Sequence, residues 1–82
     1  MSSLGEIREA LAAASERTAA ARGHAALAHT RLDEVARLYA GLADSAADLP
    51  RADIDRARRD VDDLLALIHA ASATLSDLDA RL

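Results

Sequence analysis

Apolar residues recur in this chain at alternating steps of three and four along most of its length. No other feature constrains the fold as strongly. From Leu4 the positions are Leu4, Ile7, Leu11, Ala14, Thr18, Ala21, Ala25, Ala28, Leu32, Val35, Tyr39 and Leu42, eleven of the twelve apolar. A second series runs Ile54, Ala57, Val61, Leu64, Ile68, Ala71, Leu75, Leu78 and Leu82, all nine apolar. A repeat of 3.5 sustained this long is the template of helices packing lengthwise, narrower than the apolar stripe of a globular-protein helix.

Helix-start signals divide the two series. Proline has no amide donor and clashes with a preceding helical turn, so Pro50 belongs at the start of a helix. Asp53 and Asp55 follow it, where carboxylates face the positive end of the helix dipole. Ser3 and Glu6 have the spacing of a capping box, each side chain able to serve the other residue's amide. The expectation is one domain over 1–82, with helices at 4–46 and 50–81 and a turn at 47–49. Gly5, Gly23 and Gly41 fall inside the first helix, each costing up to ~1 kcal/mol relative to alanine while permitting close backbone approach.

So short a turn makes the helices antiparallel neighbours. With Leu42 opposite Ile54, Tyr39 meets Ala57, Val35 meets Val61, Leu32 meets Leu64 and Ala28 meets Ile68. Further along, Ala25 meets Ala71, Ala21 meets Leu75, Thr18 meets Leu78 and Ala14 meets Leu82. Large residues mostly face small ones, which fills a layer without voids. In this register the first helix overhangs by about three turns, leaving Leu4, Ile7 and Leu11 without an intrachain partner. Leu27, Leu38, Leu65 and Leu67 read as a second apolar strip beside the seam. A two-helix hairpin covers only one side of each helix, so the expected fold is an all-α, coiled-coil-like hairpin that assembles into a four-helix bundle. The seven leucine and isoleucine residues just named are the expected partner interface. The expected partner is another helical chain or a second copy, as a homodimer or heterodimer.

Composition narrows the chemistry. Of 82 residues, 22 are alanine and all ten basic residues are arginine, with no lysine, cysteine, tryptophan or phenylalanine. Without cysteine there is no disulfide framework and no thiolate zinc site. Tyr39 is the only aromatic residue, which leaves little on which a base or flavin ring can stack. The net charge of −4 offers no footprint for duplex DNA, and Arg56, Arg58 and Arg59 are interleaved with aspartates. No apolar run reaches the ~18 residues of a membrane span, and no basic segment leads into a leucine-rich signal core. The expected location is the cytoplasm, or outside it by export without a cleaved signal peptide.

Side chains able to do chemistry are present but unsuitably spaced. His24 and His29 are five apart, about 140° round a helix, and do not share a face as metal ligands at i, i+4 would. His69 follows the seam residue Ile68 and reads as a flank position. The carboxylates Asp33–Glu34, Asp60–Asp62–Asp63 and Asp77–Asp79 lie on helix faces without a cleft, and no calcium-loop spacing is present. Ser15, Ser45, Ser72 and Ser76 sit in no nucleophile motif. The expectation is a protein without enzymatic activity, cofactor or metal, and without a nucleic-acid or small-molecule ligand.

Tyr39-Ala40-Gly41, near the end of the first helix of a hairpin, resembles the signature of the small Trp-x-Gly (WXG-type) helical-hairpin proteins of type VII secretion. More loosely, Arg31 to Gly41 resembles actinobacterial helical hairpins encoded beside polymorphic toxins. The resemblance covers the whole layout, with Tyr39 where the family has tryptophan and Gly41 several residues before the turn. It implies pairing into a four-helix bundle and a role as accessory or targeting partner of a larger toxin or effector, with Tyr39 and Gly41 as motif residues. The family's export signal, a tyrosine four residues before an acid, is absent from Ser76–Leu82. A cytosolic coiled-coil scaffold or regulatory subunit with no link to secretion is the alternative.

Overall fold

The computed structural model describes residues 3–41 and 48–82. They form two antiparallel helices, α1 over Leu4–Ala40 and α2 over Asp48–Arg81, in a body 62 × 19 × 14 Å across. The expected helix through residue 46, the seam position of Leu42 and the turn at residue 47 lie outside the described residues. The second helix begins at Asp48, two residues before the expected start, so Pro50 sits within its first turn, where no intrahelical amide bond is lost.

The ends of α1 follow local chemistry. Ser3 is the N-cap, with extended backbone, and its hydroxyl accepts from the Glu6 amide at 3.1 Å, satisfying a donor that has no partner within the helix. The helix closes on Gly41, whose amide donates to the Arg37 and Leu38 carbonyls, both at 3.2 Å. Gly41 has φ −75° and ψ −12°, right-handed helical angles open to any residue, so its conformation does not require glycine. Nor does Gly23 serve close approach: a Cβ placed there would meet nothing within 4 Å.

The register comes from four contacts across the hairpin. Arg8 Nη2 donates to the Leu82 carbonyl at 2.9 Å and Arg22 Nη2 donates to the Ser72 hydroxyl at 2.7 Å. Nearer the connection, His29 Nε2 lies 3.2 Å from Asp62 Oδ1, and Arg58 Nη2 lies 2.8 Å from Asp33 Oδ1. Arg22 therefore faces a residue two positions earlier than the expected pairing, and His29 one five positions earlier. As a result α2 lies further toward the N-terminus of α1 than expected, and the overhang is shorter than three turns.

On α1 the seam follows the expected series, with Leu11, Ala14, Thr18, Ala28, Leu32, Val35 and Tyr39 half-buried and Ala25 buried. Ala21 is exposed, as are Leu4 and Ile7 at the open end. Thr18, the one polar member, donates its hydroxyl to the Ala14 carbonyl at 2.7 Å and so brings no unpaired donor to the seam. On α2 the series Ile54, Val61, Ile68 and Leu75 faces inward and Ala57 is half-buried as expected, but the other half-buried residues beside the series are Arg58, Leu65 and Ser72. Leu64, Ala71 and Leu78, expected in the seam, are exposed, Leu64 at 47% and Leu78 at 43%. Ala25 and Ile68 are the only buried residues among those described.

Candidate functional site

A thin core leaves large apolar side chains on the outside. Leu4 and Ile7, at the open end of α1, are 49% and 39% exposed, and Leu11, one turn further in, is half-buried. These three stay together, and Leu11 lies on the seam-facing side of α1. Leu27, Leu38, Leu65 and Leu67 do not form one strip. Leu65 is half-buried in the seam of α2. Leu27 lies two residues from buried Ala25, about 200° round the helix, and therefore points to the outer face of α1. Leu38 and Leu67 are the most exposed, at 73% and 68%. Tyr39 is half-buried in the seam, and Gly41 is exposed at the end of α1.

The hairpin has two unlike edges. Among the described residues, the side-chain hydrogen bonds and ion pairs between the helices from Arg22 to Arg58 are made on one edge, by Arg22, His29 and Asp33 of α1 with Arg58, Asp62 and Ser72 of α2. The other edge follows one heptad position on each helix, Ile7, Ala14, Ala21, Ala28 and Val35 on α1 and Ala57, Leu64, Ala71 and Leu78 on α2. That edge carries no hydrogen bond or ion pair between the helices among the described residues. Its middle is alanine on α1, at positions 14, 21 and 28, while α2 alternates alanine and leucine.

The polar edge is organised round His29 and Asp33. His29 Nδ1 lies 3.3 Å from Asp33 Oδ2, one helical turn on, while Nε2 faces Asp62 on α2. Only the protonated imidazole carries the positive charge that pairs it with these carboxylates. The carboxylates lie at opposite ends of the ring, so they do not converge on one metal centre. No group of three or more histidine and carboxylate side chains suited to a metal ion occurs among the described residues. Arg58 approaches Asp33 Oδ1 closely, yet this oxygen accepts no aligned N–H bond, so the contact is an ion pair without hydrogen-bond geometry. His24 and His69 are exposed. The hollow beside the cluster, lined by Thr30, Asp33, Ala36, Arg37, Ala40 and Arg58, is open to solvent.

Two features escaped the sequence reading. The His29–Asp62 contact carries a usable signal, a histidine and an acid at facing flank positions, but one visible only in the correct register. The exposed leucine row of α2 was hidden because its members also fit the seam pattern. No helix of the described residues is long and apolar enough to cross a membrane. No family model, no curated protein and no solved structure matches the chain.

Proposed function

We propose that this chain is a non-enzymatic helical interaction module that completes its fold by packing against another helical chain, as a homodimer or heterodimer within a four-helix bundle. One observation carries this reading: two buried residues in the described hairpin, against eight large apolar residues that remain well exposed. Exposed apolar surface on that scale marks a protein interaction site. Helix-against-helix burial supplies the affinity, and the charged residues along the helices supply orientation. The resemblance carried by Tyr39-Ala40-Gly41 supports a more specific role, as type VII secretion accessory or targeting partner of a larger toxin or effector.

Affinity purification of the chain from its native host, with identification of bound proteins, tests this role. A secretion component or a large toxin among them supports it, and its reproducible absence removes the secretion link. A cytosolic scaffold or regulatory subunit with no link to secretion is the second reading. Half-burial of Tyr39 in the seam gives that residue a packing role that needs no secretion partner. Tyr39→Phe separates the readings at this position: unchanged partner binding assigns Tyr39 to packing, and lost binding assigns a function to its hydroxyl.

A further inference from the structure

We propose that the edge formed by Ala14, Ala21 and Ala28 with Leu64, Ala71 and Leu78 seats a second copy of this chain. In this dimer α1 of each copy lies on α2 of the other, both connections are at the same end, and Arg31 of each copy pairs with Asp60 of the other. The inference deepens the proposed interaction module by naming its partner and geometry, and it rests on that reading.

Three observations converge on this arrangement. The opposite edge is already occupied by the hairpin's own polar contacts, so the apolar edge is the one left for a partner. The edge pairs small with large: Ala14 and Ala28 of α1 stand level with Leu78 and Leu64 of α2, and nearer the connection Val35 of α1 stands level with Ala57. A two-fold axis running along the hairpin sets unlike helices against each other and preserves their levels. His29 faces Asp62 and Arg22 faces Ser72, so Leu64 is nearly level with Ala28, and Leu78 comes level with Ala14 once the Arg8–Leu82 bond is included. Leu64 of one copy then enters the space over the partner's Ala28, and Leu78 that over the partner's Ala14. A two-fold axis crossing the helices instead stacks alanine on alanine and leucine on leucine, leaving a gap on one side and a collision on the other.

Charge favours the same choice. One step outside the alanine row, α1 carries Arg17, His24 and Arg31, and one step outside the leucine row α2 carries Asp60, Leu67 and Thr74. Stacking α1 on α1 sets the arginine row against itself. Stacking α1 on α2 brings Arg31 beside Asp60, because His29 facing Asp62 and Asp33 facing Arg58 put residues 31 and 60 at one level. Both are exposed, and neither takes part in an ion pair among the described residues.

Charge reversal with complementation tests the arrangement, read by sedimentation equilibrium, with circular dichroism to confirm that each variant is helical. The unaltered chain is expected to be a dimer. Arg31→Asp and Asp60→Arg, each alone, place like charges together twice per dimer and are expected to weaken it about tenfold. An equimolar mixture of the two variants restores attraction at both sites and is expected to recover dimers of the original strength, each holding one copy of either variant. Dimers indifferent to both reversals, or a mixture no tighter than its components, would overturn the arrangement. A monomeric chain that binds a different helical protein in its host would overturn the second-copy proposal and leave the interaction-module reading standing. A monomer that binds none would remove both.

Discussion

Ala25 and Ile68, the two buried residues of the described chain, lie level across the hairpin, between the Arg22–Ser72 hydrogen bond and the His29–Asp62 contact. A methyl group on α1 thus stands where α2 brings a branched four-carbon side chain. The helices are closest to a sealed layer at this level, and the hairpin's sensitivity to substitution should be concentrated there.

Ile68→Ala removes the larger member and is expected to cost about 2–3 kcal/mol, toward the low end for a buried isoleucine because two thin helices can partly close the gap. Ala25→Leu overfills the same layer at a cost of about 1–3 kcal/mol. The double variant restores the total volume and should lose less than the two single losses added together. Urea unfolding of all four proteins at one concentration measures this, and strict additivity would show that the two residues do not share a layer.

The polar edge should contribute less than its number of charges suggests. The Asp33 and Arg58 side chains are 36% and 40% exposed, so water screens their attraction. A double-mutant cycle with Asp33→Ala and Arg58→Ala is expected to give a coupling of about 0.2–1 kcal/mol. It should fade toward 1 M salt, where the screening length falls to roughly 3 Å. A large coupling insensitive to salt would mean that the pair is more enclosed than its exposure indicates.

Gly23 offers a stabilising substitution. It lies in the interior of α1 with open space where a Cβ would stand. Gly23→Ala should therefore add about 0.5–1 kcal/mol, by lowering the entropy of the unfolded chain without touching the seam. An increase in thermal midpoint at unchanged oligomer size is the expected readout. Destabilisation would point to a partner's backbone approaching α1 at this residue.

The open end of α1 probes the interaction surface from a different direction. Ile7→Asp with Leu11→Asp puts two carboxylates where Ile7 is exposed and Leu11 half-buried. Assembly should be abolished while much of the helical circular dichroism remains. Unchanged oligomer size and unchanged bound partners would show that this end takes no part in assembly.

The helical class and the hairpin could be read from the sequence because a 3.5-residue repeat over two long segments admits few other structures. Ser3 could also be read as a cap from its spacing to Glu6. The second inward row of α2 could not. Counting apolar residues favours Leu64, Ala71 and Leu78 over Leu65, Ser72 and Asp79, but Ser72 is satisfied in the seam by Arg22, and a hydrogen bond of that kind leaves no apolar signature. The register differs from the expected one for a related reason. Large-against-small matching recurs along an alanine-rich helix, so several offsets satisfy it almost equally. Leu64 and Leu78, which the apolar pattern assigns to the seam, are exposed in the structure.

The central claim is that the isolated hairpin lacks enough core to stand alone, and sedimentation equilibrium combined with thermal unfolding of the purified chain tests it most directly. The account predicts either a folded dimer whose unfolding midpoint rises with protein concentration or a chain that is poorly folded without its partner. A cooperatively folded monomer at micromolar concentration, with a midpoint independent of concentration, would contradict it.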